Sequence, residues 1–157
     1  MKLALITFFF VLHTAELPDV NRKIVEYLDT VIGKRVGRGE CWDLASAAMN
    51  HADAFLDRSS QETIYVFGKE IDPEKVKVLP GDIIQFENVR MEYTRGNAVY
   101  TETMLHHTAI VYELLGENYF KLAHQNTSFS GKKVGISEFA LADVKKGDVI
   151  IYRPFRK

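Results

Sequence analysis

The chain changes character once, near Ser59 and Ser60, and this change constrains its fold more than any other feature. Before it, apolar residues recur every three or four positions, which is the period of an amphipathic helix. After it, short runs rich in β-branched and aromatic residues alternate with turns, which is typical of strands. Helices that come first and strands that follow predict an α+β fold.

Two helices are predicted in the first part. One covers residues 17–32, with Asp19 or Asn21 as its cap, and ends before a glycine-rich loop of residues 33–39. The other begins at Cys41, and its small and apolar residues give it a narrow face suited to close packing.

Strands are predicted in the second part, separated by Gly, Pro and Asn turns. Residues 91–105 contain turn residues and no clear period, so we predict a long loop or an irregular hairpin there. The predicted strands are residues 63–67, 82–87, 107–114, 119–125 and 148–153.

The N-terminus predicts the domain boundary. An apolar run of residues 3–12 follows Lys2 and precedes Ala15, which is typical of a signal peptide. The run is about half of the ~20 apolar residues that a membrane span requires. We therefore expect a signal peptide over residues 1–15, a single domain over residues 16–157, no membrane span and a secreted or periplasmic protein. The alternative is a buried first element of a cytoplasmic domain.

Charge excludes one class of partner. The chain has 20 Lys and Arg against 21 Asp and Glu in 157 residues, so no electrostatic argument supports nucleic-acid binding. The sequence does not fix the oligomeric state.

Cys41 is the only cysteine, so it cannot form a disulfide within the chain. It stands at the predicted first turn of a helix, where free backbone N–H groups and the positive end of the helix dipole favour a thiolate and a substrate oxyanion. This position is typical of a nucleophile. A free cysteine beside a helix is also common as a buried packing residue.

Histidines supply the groups that such a nucleophile needs, a base and a residue that orients the base. His51 lies ten residues beyond Cys41, roughly 15 Å along a helix, which is too far. His106 and His107 are adjacent on a strand, so they point to opposite faces, and the pattern does not decide which one faces the thiol. His124 ends the next strand and lies beside them if the two strands are antiparallel neighbours.

These residues stand in the order of a known superfamily. The segments ECWDL, LPGDIIQF, HTAIV and LAHQN, in this order, resemble motifs of papain-like cysteine peptidases, in particular the NlpC-type and CHAP amidases. The stretches VGRGECWDLA, HHTAIV and KKGDVIIYRP are most similar to the cysteine-proteinase-fold domain of fungal actin-patch proteins and their bacterial relatives. The resemblance covers residues 31–154. It implies a papain-like α+β fold, with helices packed on an antiparallel sheet or half-barrel.

The resemblance also implies roles for individual residues. Cys41 would be the nucleophile, His107 the general base and His124 the residue that orients it, with Asn126 as the alternative third residue. Three more residues are expected at the cleft: Trp42, His106 and Gln125.

The expected activity is hydrolysis of a peptide or amide bond through an acyl-enzyme on Cys41, with a peptide or peptidoglycan-like substrate and no cofactor. An acyltransferase would use the same residues. The alternative from another class is a catalytically idle protein-binding module with this fold. A zinc site built from Cys41, His107 and His124 ranks last, because no close-spaced ligand pair such as C-x-x-C occurs.

Overall fold

The computed structural model describes residues 16–157, so the predicted signal peptide, residues 1–15, lies outside the described residues. Helices α1 (Asp19–Val31) and α2 (Cys41–His51) come first, and a 3₁₀ turn (Thr63–Tyr65) follows them. Six strands complete the fold, with a second 3₁₀ turn (Leu141–Asp143) before the last: β1 (Lys69–Ile71), β2 (Ile83–Arg95), β3 (Ala98–Gly116), β4 (Tyr119–His124), β5 (Gly135–Ala140) and β6 (Val144–Arg153). The predicted α+β class is confirmed.

The strands form one antiparallel sheet in the order β1-β6-β2-β3-β4-β5. Strands β3 and β4 are antiparallel neighbours joined by the turn after Gly116, as predicted. Within residues 16–157, no helix combines the length and the apolar character that a bilayer span requires.

Each face of the sheet has its own hydrophobic core. Both helices pack on one face, where Leu44 and Ala45 of α2 lie in one cluster with Ile83 and Ile110 of the sheet. The opposite face carries a second cluster of strand residues, among them Phe86, Ala109, Val111, Phe120 and Phe139. Because side chains alternate along a strand, β3 contributes its residues in turn to the two faces.

The structure departs from the predicted elements at three places, each for a local reason. Residues 63–67 are not a strand: Thr63 and Ser60 bond to each other through side chain and backbone, and Thr63 begins a 3₁₀ turn. Residues 91–105 form a hairpin, which was one of the two predicted alternatives, but it is a regular one; its side chains show no period because most are exposed on both faces. Strand β5 was not predicted, because only Phe139 among its residues is buried and no alternation results.

The predicted caps of α1 are also wrong. The cap position is Pro18, and Asp19 is the first helical residue. Asn21 is fully buried, and its side-chain amide donates to Pro80 O and to Asp82 Oδ1, both at 2.9 Å. It therefore ties the helix to the start of β2 instead of capping it.

Candidate active site

Cys41 is the first residue of α2 and is half-buried. Glu40 occupies the cap position and forms a capping box with Asp43. The Asp43 carboxylate also accepts hydrogen bonds from the backbone N–H of Arg38 at 2.8 Å and from its guanidinium at 2.9 Å. These bonds fix the start of the helix at the cysteine, where the sequence predicts it.

Asp43 carries its negative charge in the first turn of α2, two residues after Cys41. Burial opposes ionisation of this carboxyl, but the hydrogen bonds from Arg38 and Glu40 outweigh it and lower the pKa of Asp43 below its usual range. The carboxylate is thus ionised and engaged by the Arg38 side chain, whose guanidinium neutralises its charge.

The loop before Cys41 requires glycine at two positions. Gly37 and Gly39 have φ of +57° and +88°, a region that other residues rarely adopt. A Cβ at Gly39 would lie 2.7 Å from Cβ of Lys132, so this loop passes close against the chain between β4 and β5. The glycine-rich pattern therefore sets the path by which the chain reaches the thiol.

Two histidines meet on neighbouring strands. Nε2 of His107 on β3 lies 2.9 Å from Nδ1 of His124 at the end of β4. Nε2 of His124 lies 2.8 Å from Oγ of Ser137 on β5. The three side chains form a continuous chain of hydrogen bonds across three adjacent strands.

Both imidazoles are buried, and burial lowers their basicity. Desolvation, with a smaller effect of His106, lowers the pKa of His107 to about 4. Desolvation and the neighbouring His107 lower the pKa of His124 to about 3. Both rings are therefore neutral at pH 7, and each has one N–H and one lone pair.

The direction of the bonds follows from what each ring can donate. If His124 donates its Nε2–H to Ser137, its Nδ1 must accept, and His107 donates Nε2–H to it. The lone pair of His107 then lies on Nδ1. That atom has no hydrogen-bond partner among the described residues and is not fully buried, so it is free to accept a proton.

Gln125 connects this histidine pair with the start of α2. It is fully buried; its Nε2 donates to Glu40 O at 2.7 Å and to Val36 O at 2.9 Å, and its Oε1 accepts from Val36 N at 3.2 Å. The residue after His124 thus holds the residue before Cys41. The sequence predicts Gln125 at the cleft. In the structure it is buried and joins the end of β4 to the residues before α2.

The structure thus brings His107 and His124 into contact, and Gln125, the residue after His124, bonds to the residue before Cys41. Cys41 Sγ takes part in no hydrogen bond among the described residues. Its pairing with His107 stays a prediction. Helix α2 packs on the face of Ile110, whereas His107 points to the face of Ala109 and Val111.

His106 lies on the α2 side of β3. Its Nδ1 is 2.8 Å from Glu87 Oε1, and its ring packs edge-on against Tyr65 with centroids 4.3 Å apart. Trp42 Nε1 donates to Ile64 O at 2.8 Å, which fixes the 3₁₀ turn that carries Tyr65 against the first turn of α2. Burial raises the pKa of Tyr65, and the nearby Cys41 and Glu87 raise it further. His106 and Tyr65 thus flank the region of the thiol.

Asn126 does not reach His107. It lies beyond the end of β4 with φ of +62°, which Asn tolerates better than most residues. Its side-chain amide donates to Glu40 Oε2 at 2.8 Å. The structure therefore places Asn126 at the cap of α2. The resemblance implied another position for it, behind the imidazole of His107, as the alternative third residue.

The sequence does not predict Ser137 at the site, because it does not predict β5. It does not predict Tyr65 there either, because residues 63–67 are predicted as a strand and form a 3₁₀ turn instead. Within residues 16–157, no three His, Cys, Asp or Glu side chains are arranged to hold a metal ion.

Solved structures with this fold include two NlpC proteins of Trichomonas vaginalis. NlpC2 matches with a TM-score of 0.57 at 18% identity over 91% of this chain and 49% of its own. NlpC1 matches with a TM-score of 0.57 at 19% identity over 91% of this chain and 47% of its own. This chain therefore spans about half of each, and at this identity the likeness shows the fold, which is papain-like as predicted.

Sequence comparison identifies the family. Altered inheritance of mitochondria protein 3 of Debaryomyces hansenii is 29% identical over 147 residues, and the match covers 83% of this chain and 15% of that protein. The family model of the AIM3/BBC1 cysteine proteinase-fold domain matches residues 17–157. The chain therefore belongs to the AIM3/BBC1 cysteine proteinase-fold domain family.

Proposed function

We propose that this domain is a cysteine-dependent hydrolase that cleaves a peptide or amide bond through an acyl-enzyme on Cys41. The observation that carries the proposal is the chain of hydrogen bonds from His107 through His124 to Ser137, which leaves Nδ1 of His107 free. Gln125 ties this chain to the helix that begins with the only cysteine. Nucleophile, base and orienting residue are the parts that covalent catalysis by cysteine requires.

The end of β4 supplies the place where thiol and imidazole would meet. β4 pairs with β3 only between Ile110 and Gly116, so within residues 16–157 β3 has no strand beside His107 on that edge. The chain leaves β4 there and turns to Glu40 at the start of α2. Cys41 would reach His107 around this end of the sheet, although α2 packs on the other face.

The reaction would follow from these positions. Nδ1 of His107 takes the thiol proton while Cys41 Sγ attacks the substrate carbonyl carbon, and the backbone N–H of Cys41 at the free helix start stabilises the oxyanion. The C–N bond breaks as His107 returns the proton to the leaving amine. Water, deprotonated by His107, then attacks the thioester, and the acid product leaves with the thiol restored. An amine or alcohol in place of water would make the domain an acyltransferase.

Hydrolysis of casein and of peptidoglycan tests the proposal. Wild-type protein should cleave at least one of them, Cys41→Ala should cleave neither, and His107→Gln should lose at least about a hundredfold in rate. The matched control is His51→Gln, because His51 is an exposed histidine at the far end of α2. Cleavage that persists in Cys41→Ala would contradict the proposal. Cleavage of peptidoglycan would fit export through the expected signal peptide.

A catalytically idle binding module is the second candidate. Two observations favour it: the thiol and His107 are not hydrogen-bonded to each other, and the domain corresponds to only 15% of its long fungal relative. Alkylation of Cys41 by iodoacetamide at pH 7 separates the two candidates. An activated thiol should react at least about tenfold faster than free cysteine, whereas an idle one should react no faster.

A further inference from the structure

The two strands at the centre of the sheet extend beyond their neighbours. β2 and β3 pair with each other from Ile83↔Ile110 to Arg95↔Ala98, but β4 pairs with β3 only from Ile110 onwards. Residues 98–109 of β3 therefore have one edge with no strand beside it among the described residues. Residues 98–106 are exposed apart from the half-buried Met104, so their backbone N–H and C=O groups on this edge are available to another chain, whereas His107, Thr108 and Ala109 are buried.

The free edge lacks the features that normally keep such an edge from binding. Proteins protect exposed edges with Lys, Pro, bulges or covering loops. Residues 98–109 contain no Lys, Arg or Pro, and Glu102 is their only formal charge. Val99 and Leu105 are 70% and 69% exposed although both are large apolar residues. The β-branched and apolar residues of this segment are suited to strand pairing.

The position of the edge indicates its occupant. It ends at His106 and His107, so a chain paired with residues 98–105 would continue to the opening where Cys41 is expected to meet His107. We propose that this edge binds an extended, unfolded polypeptide by strand addition and guides it to Cys41. The inference rests on the proposed function, because it names a linear polypeptide as the substrate class. Two copies of this chain paired here would instead cover each other's His107.

Strand addition explains how such a site would accept many sequences. Hydrogen bonds to the main chain give affinity, and alternate side chains give a modest preference. Val99, Thr101, Thr103 and Leu105 lie on one face of β3 by alternation and carry no charge. The preferred segment is therefore an uncharged one with apolar or hydroxyl side chains, whereas a cross-linked or branched peptide could not lie flat along the edge.

Amide hydrogen exchange of the full Cys41→Ala chain, with and without excess unfolded β-casein, tests the inference. In residues 98–106, alternate amides that face the free edge should exchange at least about tenfold more slowly with casein, and the amides bonded to β2 should be unchanged. No slowing would overturn the inference. Slowing that depends only on the concentration of the chain would also overturn it, because a second copy would then be the occupant.

Matched lysine variants locate the binding edge. Thr101→Lys places a charge beside the free edge of β3, and Thr94→Lys places the same change on β2, the other strand of the same hairpin, where Thr94 pairs with Val99. Both threonines are exposed, so both variants should fold. Thr101→Lys should weaken the binding of labelled β-casein by about tenfold and Thr94→Lys by less than about twofold. Equal weakening would overturn the inference.

The two proposals fail separately. If wild-type protein cleaves casein but the edge amides gain no protection, the hydrolase stands and strand addition is wrong. If the edge is protected but wild-type protein cleaves neither casein nor peptidoglycan, strand addition stands and hydrolysis is wrong.

Discussion

His107 and His124 share one hydrogen bond, with Nε2 of the first 2.9 Å from Nδ1 of the second. This bond uses Nε2 of His107 and leaves Nδ1 without a partner among the described residues. A catalytic imidazole needs this division, because one nitrogen must be fixed while the other exchanges a proton. Burial keeps both rings neutral at pH 7. The pair therefore has the arrangement that the proposed general base requires, a neutral ring held in place by a second ring.

Ser137 should act through His124 on the tautomer of His107. Ser137→Ala removes the oxygen that receives the Nε2–H of His124, so His124 is free to turn or to donate from Nδ1. We expect kcat for casein or peptidoglycan hydrolysis to fall by about tenfold with little change in KM. Ser128→Ala is the control, because Ser128 is exposed in the loop before β5. An unchanged kcat in Ser137→Ala would show that the bond does not orient the base.

The buried pair should make stability depend on pH. The pKa values of His107 and His124 are about 4 and about 3, against 6.5 for an ordinary histidine, so the unfolded chain binds more protons than the folded one below pH 6.5. The free energy of unfolding should therefore be level above pH 6.5 and fall as the pH drops below it, by on the order of 1 kcal/mol per pH unit for each histidine. Urea unfolding between pH 7 and pH 5 measures this.

A double variant provides the control for that dependence. His107→Gln/His124→Gln removes both titrating groups, so its stability should change much less over the same range. An equally steep dependence in the double variant would assign the effect to other groups.

The parts of the site that follow from local pattern could be predicted from the sequence. Cys41 begins a helix because glycines precede it and small residues recur after it, and His124 meets His107 because a short turn joins their strands. Ser137 could not be predicted, because β5 is half-exposed and shows no alternation. The face that His107 occupies depends on which side α2 packs, and that is a long-range contact that no local pattern encodes.

Gln125 should hold the loop before Cys41 in place. Gln125→Leu keeps the size of the side chain but leaves Val36 N without its hydrogen bond, while Glu40 O and Val36 O lose one bond each and keep those from Asp43 N and Gly39 N. We expect the free energy of unfolding to fall by about 1–3 kcal/mol, the cost of one buried group left unpaired. The alkylation rate of Cys41 should change as well, because the cap of α2 is released. Gln61→Leu, at an exposed glutamine, should alter neither measurement.

Replacing Gly39 should destabilise the protein for two reasons, its backbone conformation and its close approach to Lys132. Gly39→Ala forces alanine into φ of +88° and places its Cβ 2.7 Å from Cβ of Lys132. Gly96, in the turn between β2 and β3, also has a positive φ, of +59°, but a Cβ there meets nothing within 4 Å. Gly96→Ala should therefore lower the free energy of unfolding by about 1 kcal/mol, the cost of the backbone conformation alone, whereas Gly39→Ala should lower it by about 2–4 kcal/mol. Urea unfolding of the two variants measures the difference.

The same pair of variants separates stability from the geometry of the thiol. Gly39 lies two residues before Cys41, so a shift of the loop away from Lys132 should move the start of α2 and change the alkylation rate of Cys41. Gly96 lies at the far end of the β2–β3 ribbon, and its variant should keep the wild-type rate. Equal losses of stability in both variants, with unchanged alkylation in both, would mean that the loop yields without strain and that the contact with Lys132 does not position the cysteine.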